Sequence, residues 1–105
     1  IMPNDMQAGV YAAVVHYLKA VKGVGDAQDG RAVVAEMKRL PTDDPLFGKG
    51  EIRADGRKMH PVYLFETKTP AESTGEWDMF KLIATIPADQ AFRPLTEGHC
   101  PFVAG

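Results

Sequence analysis

Cysteine is nearly absent from this chain. Cys100 is the single one, so no disulfide can close within the 105 residues, and the redox compartment cannot be read from pairing. Two readings stay open for it: a free thiol near a terminus, or one half of a bridge whose partner lies upstream of Ile1. Long apolar runs are missing too, and none approaches the roughly 18 residues that a membrane span needs. The chain opens on Ile1 rather than Met, with no charged segment followed by an apolar one, so a secretory leader is not legible. The expectation is a chain cut at its N-terminus, with any export signal in the preceding part. Lys and Arg number 12 against 14 Asp and Glu, a net charge of -2. The two signs are interleaved with no basic stripe, which removes the electrostatic footprint of a nucleic-acid binder.

Metal and catalytic constellations are equally scarce. His16, His60 and His99 are the only histidines. None has a second histidine or a cysteine at helical ligand spacing, and adjacent His99 and Cys100 point in different directions. Cys100 lacks a positioned base, so a thiol nucleophile is not assembled. Asp43-Asp44 and Asp26 with Asp29 lie in polar stretches, where cap and turn roles outweigh the split environments that acid–base catalysis requires. Gly48-Lys49-Gly50 lacks the remainder of a phosphate loop. The residues therefore imply no enzyme, no metal and no cofactor. Trp77, the lone tryptophan, is a stacking platform or, more commonly for such a residue, a buried anchor at a strand edge.

What is present is an ordinary globular balance, 45% apolar and 25% charged. Asn4 or Asp5 can cap a helix in which Val10, Val14, Tyr17 and Val21 recur at helical spacing. Tyr11 and Val15 widen that stripe, so the helix is expected to be covered on more than one side, with Tyr11 in the core and His16, Lys19 and Lys22 on the polar side. Gly23 and Gly25 end it. A second helix starts from Asp29, carries Val33, Met37 and Leu40 in one line, and stops at Pro41. Residues 42–49 read as a loop with Leu46 and Phe47 tucked inward. Strand character then begins at Gly50, with Asp55-Gly56 as a tight turn. Val62 to Phe65 is apolar on both faces and implies burial on both sides. Phe80, Leu82, Ala84 and Ile86 alternate as one face of a half-buried strand that Pro87 closes. The whole divides into a helical part (4–40), a strand-rich part (50–87) and a tail that wraps over a surface (88–105). A widely apolar helix with few strands to cover it implies a missing partner.

The run from Gln7 to Val21, with its Tyr11-Ala12-Ala13-Val14 core, resembles a segment of type I periplasmic solute-binding proteins, in the leucine/isoleucine/valine-binding branch of ABC-transporter receptors. Gly50-Glu51-Ile52 with Asp55-Gly56 resembles that family's Gly-x-Ile-x-x-Asp-Gly turn, and His60 to Phe65 the strand after it. The stretches 68–73, 77–81 and 91–95, and the ending His99-Cys100-Pro101, are similar to a subgroup from soil and plant-associated bacteria. The resemblance implies an α/β fold: the C-terminal fragment of a two-lobed type I binding protein, two helices followed by an antiparallel strand segment. It implies a periplasmic receptor that takes a small organic solute, an amino acid or an aromatic or other carboxylate, between two lobes and delivers it to an ABC transporter permease. The alternative is the ligand-sensing domain of a signalling or regulatory protein of the same fold, and a third reading is a complete small interaction module. The position just ahead of the Tyr-Ala-Ala-Val helix lines the cleft in the relatives. Here it falls on Met6, with Gln7 beside it, so both are ligand-binding candidates, set against Met6 packing in the core and Gln7 serving the first helical turn. With strand faces uncovered, the fragment is expected to self-associate as a dimer.

Overall fold

The computed structural model describes residues 2–103. Helix α1 runs Asp5–Val24. Its start is fixed by a reciprocal cap in which Asn4 Oδ1 accepts from the Gln7 amide and Gln7 Oε1 accepts from the Asn4 amide, both at 2.9 Å. Its end is fixed by Gly25, which turns left-handed at φ 81° and donates its N–H to the Val21 carbonyl. Helix α2, Gly30–Arg39, is capped by Asp29, whose Oδ1 accepts from the Ala32 amide at 3.1 Å.

Three short antiparallel strands follow in the order β1 (Thr42–Asp44), β2 (Gly48–Ile52) and β3 (Lys58–Met59). The stretch expected to be a loop thus holds a strand and the start of another. Asp44 makes this possible, because its Oδ1 accepts from the amides of Leu46 and Phe47 at 2.9 Å and folds the chain back. Phe47 is half-buried, whereas Leu46 stays exposed. The β2–β3 connection uses Asp55-Gly56 as the sequence implies: the Gly56 amide donates to the Arg53 carbonyl, and Gly56 itself sits at φ 84°.

Strands β4 (Val62–Thr67) and β5 (Phe80–Ile86) form a separate two-stranded ribbon. Leu64 pairs with Ala84 and Phe65 with Leu82, so Ile83 is an extra residue, a β-bulge. The bulge corrects the expected alternation. Phe80 and Leu82 share one face with Tyr63 and Phe65, while Ala84 and Ile86 share the other with Val62 and Leu64. Helix α3 (Ala88–Ala91) and a 3-10 turn (Leu95–Gly98) carry the tail past the hairpin, where Arg53 Nη1 donates to the Arg93 carbonyl at 3.0 Å and Arg57 stands over the Phe92 ring. Residues 104 and 105 of the expected tail lie outside the described residues.

Packing is one-sided. Among the described residues the buried apolar ones are Ala12, Ala20 and Val33, joined by His16, Thr42 and Asp44. Small residues at 12 and 20 put a narrow face of α1 against α2 and β1. The broad stripe at Val10, Val14, Tyr17 and Leu18, with Tyr11 beside it, is exposed instead. Val62 to Phe65, Phe80, Leu82 and Ile83 are exposed as well, and so is the Trp77 ring, which is not the buried anchor expected. The chain exposes 7881 Å², about 2,000 Å² more than a compact monomer of its mass. Its radius of gyration is 17.0 Å, against about 13 Å for a compact domain of this length.

Candidate functional site

Met6 and Gln7 lie in the first turn of α1, where the cap orders the backbone. Met6 does not pack in the core; it is 76% exposed. Gln7 spends its carbonyl oxygen on the cap, which leaves its amide NH₂ free to donate outward. The two neighbours therefore offer a polarizable apolar contact and a donor at the start of one helix.

A cavity of about 380 Å³ opens between α1, α2 and the β1–β3 strands, with Gly9, one helical turn on from Met6, in its lining. Ala12, Ala13, Met37, Phe47 and Ile52 give it an apolar lining. His16 and Thr42 are its buried polar members, 5% and 1% exposed. His16 was expected on the polar side of α1, and its burial has a specific cause. The Met37 carbonyl would ordinarily accept from the amide four residues on, but that residue is Pro41, which has no N–H. His16 Nε2 lies 2.7 Å from that carbonyl and supplies the missing donor. A proline at the end of one helix thus draws a histidine from the other. In the neutral ring, a donating Nε2 leaves the lone pair on Nδ1. His16 Nδ1 and Thr42 Oγ1 have no hydrogen-bond partner among the described residues, and a buried polar group left unpaired costs about 1–3 kcal/mol.

The charged groups nearby are structural. Lys58 Nζ reaches Asp44 Oδ2 at 2.7 Å and stands over the Phe47 ring. Burial pushes the Asp44 carboxyl up, but the Lys58 ammonium and the amides of Phe47 and Leu46 outweigh it and hold the group below the ordinary aspartate range. Asp44 is therefore a buried turn anchor, not the solvated residue expected. His60 Nδ1 lies 2.8 Å from the Pro61 carbonyl, and its ring packs between Phe47 and Phe92. Among the described residues no three His, Cys, Asp or Glu side chains converge as a metal site, and no helix is long and apolar enough to cross a membrane.

Comparison with known proteins places this architecture. The model of the periplasmic binding protein family matches residues 1–75. A crystal structure of a periplasmic binding protein from Burkholderia mallei is 43% identical, with a TM-score of 0.89 over 97% of this chain and 27% of that one. A branched chain amino acid ABC transporter periplasmic ligand-binding protein from Burkholderia xenovorans is 39% identical, with a TM-score of 0.88 over the same shares. No curated protein matches. The chain spans about a quarter of the length of the solved structures it matches (27%). At that identity, and with 75 of its 105 residues matched by the family model, the chain belongs to the periplasmic binding protein family.

Proposed function

We propose that this chain is the C-terminal part of an extracytoplasmic solute-binding receptor of an ABC importer. The receptor works in the periplasm without catalysis, holds a small amino acid or aromatic or other carboxylate between two lobes, and passes it to a permease. The observation that carries the reading is the 39% identity, across 97% of this chain, to a branched chain amino acid ABC transporter ligand-binding protein. The uncovered surface supports it: α1 is packed on its narrow alanine face and open along its broad apolar stripe, as an element with further chain to receive would be.

In this reading Met6 and Gln7 face the solute. An exposed methionine at a helix start adapts to apolar bodies, and the free Gln7 NH₂ suits a carboxylate or carbonyl oxygen. The 105 residues supply only one wall of a closing cleft, so alone they hold no solute tightly. Calorimetry tests this with amino acids and aromatic acids, titrated into the chain alone and into the full-length receptor. The receptor is expected to bind and the chain alone is not. Met6→Ala in the receptor is expected to weaken binding while leaving the thermal midpoint in place. Saturable micromolar binding by the chain alone, or solute affinity unmoved by Met6→Ala, refutes the corresponding part.

A further inference from the structure

The chain holds two Asp–Gly peptides, Asp29–Gly30 and Asp55–Gly56. A glycine after an aspartate leaves its backbone nitrogen open to the side-chain carboxyl. The nitrogen attacks Cγ, a C–N bond forms, and the amide proton and the carboxyl hydroxyl leave together as water. Water then reopens the resulting succinimide at either carbonyl. One opening restores aspartate; the other routes the main chain through the side chain as isoaspartate. The reaction needs a carboxyl that can give up an oxygen and an amide that can give up its proton. Neither glycine is shielded sterically, because a Cβ at Gly30 or Gly56 would meet nothing within 4 Å. The difference between the two falls on their polar contacts.

At Asp55 both carboxylate oxygens are held. Oδ1 accepts from Arg53 Nε at 3.2 Å and from the Arg57 amide at 3.1 Å, and Oδ2 accepts from Arg53 Nη2 at 2.7 Å. This fork is only 16% exposed on each side, and Arg53 is held at its other end by the Arg93 carbonyl. Arg53, outweighing the upward push of burial, and the Arg57 amide keep the Asp55 carboxyl below the ordinary aspartate range, ionised and unwilling to lose an oxygen. The attacking nitrogen is engaged as well, since Gly56 N–H donates to the Arg53 carbonyl at 2.9 Å. Asp29 is exposed and makes no ion pair among the described residues. A single amide, that of Ala32, reaches its Oδ1 at 3.1 Å, and Gly30 N–H meets the Gln28 carbonyl at 3.1 Å. We propose that Asp29–Gly30 is the chain's site of spontaneous isoaspartate formation, and that the Arg53 fork withholds Asp55–Gly56 from the same reaction. The product at position 29 carries its carboxylate on a lengthened main chain, so α2 loses its cap. Neither peptide involves Met6 or Gln7, and the solute reading is not needed.

The test ages the full-length protein at neutral pH in water enriched in heavy oxygen. Peptide mapping by mass spectrometry reads isoaspartate at each position, and the heavy oxygen marks passage through the succinimide. Synthetic peptides spanning 26–34 and 52–60 give the unstructured rates. In the folded protein, isoaspartate at 29 is expected to exceed that at 55 by about 10-fold, each scaled to its peptide. Arg53→Gln is expected to raise position 55 toward its peptide's rate with position 29 unchanged. Arg53→Lys keeps the charge without the fork and is expected to fall between. Position 29 is the internal standard: a variant that merely unfolds speeds both positions together, and the wild-type ratio then decides. Equal scaled rates in the folded wild type, an excess at 55, or no label at 29 while its peptide reacts overturns the proposal. So does a folded Arg53→Gln protein in which position 55 is no faster.

Discussion

The helix–hairpin unit and the β4–β5 ribbon are made of similarly apolar sequence, yet they solve different problems. The first buries what it can: Ala12, His16, Ala20, Val33, Thr42 and Asp44. The second buries nothing. All six residues of β4 are exposed although four are large and apolar. Its order comes from the strand ladder, from aromatic contacts between Tyr63, Phe65 and Phe80, and from a polar clasp at the far end. There Lys68 holds Asp78 at 2.6 Å and Lys81 holds Glu72 at 2.9 Å. Local structure and burial are thus separable, and here one half of the chain has both while the other has only the first.

The largest expected effect lies inside the packed half. A Cβ on Gly50 would overlap the Met59 carbonyl and come 2.9 Å from Thr42 Oγ1. Gly50→Ala is therefore expected to cost about 3 kcal/mol or more. Gly56 has open space around it but a left-handed backbone, and Gly56→Ala is expected to cost about 1–2 kcal/mol. Urea midpoints of the two variants rank space against conformation, and equal losses would show that β2 is not held tightly between its neighbours.

Truncation in each region comes next. Val33→Ala is expected to cost about 2 kcal/mol in the isolated chain, and Leu64→Ala less than about 0.5 kcal/mol. Comparable losses would mean that the ribbon finds cover in solution. Such cover is what self-association provides. The uncovered faces predict a dimer of the isolated chain by light scattering across a concentration series. A monomer at high micromolar concentration that binds no hydrophobic dye would break the comparison.

The smallest effect is acid loosening of the clasp. The Lys81 ammonium, with the amide and hydroxyl of Thr69, holds Glu72 down at about 2, from 4.5. Lys68, with the amide and hydroxyl of Thr74, holds Asp78 down at about 2, from 3.8. Both values are depressed in the folded chain, so the stabilisation is complete above the ordinary values and is lost as pH falls through about 2. The amide signals of Thr69 and Thr74 should keep their positions to near pH 3. A midpoint at the ordinary carboxylate values would show an open clasp.

Much of the fold was legible because its punctuation is chemical. Asn4, Gly25, Asp29 and Pro41 bound the helices, and Asp55-Gly56 makes its turn. Strand β1 was not legible, since Thr42-Asp43-Asp44 has no apolar alternation and depends on Asp44 bonding its own turn. The burial of His16 was not legible from the apolar pattern. The conspicuous stripe at Val10, Val14 and Tyr17 drew the expectation of burial, whereas the quiet line of Ala12, His16 and Ala20 marks the contact. A proline four residues after Met37 was the available clue. Of the candidate site, the position of Met6 and Gln7 on the first turn was legible. The share of Gln7 taken by the cap follows only from the reciprocal geometry of Asn4.

The extra residue at Ile83 has a consequence for how this protein can be kept soluble. By moving Ala84 and Ile86 to the side opposite Phe80 and Leu82, it gives the ribbon an aromatic side and an aliphatic side, and neither is polar throughout. Such a ribbon is the filling of a sandwich. One slice, whether a second copy laid flat or a single added helix, dries one side and leaves the other wet. Trimming this chain to a well-behaved fragment therefore means polar substitution on whichever side stays uncovered, or removal of the ribbon as a whole.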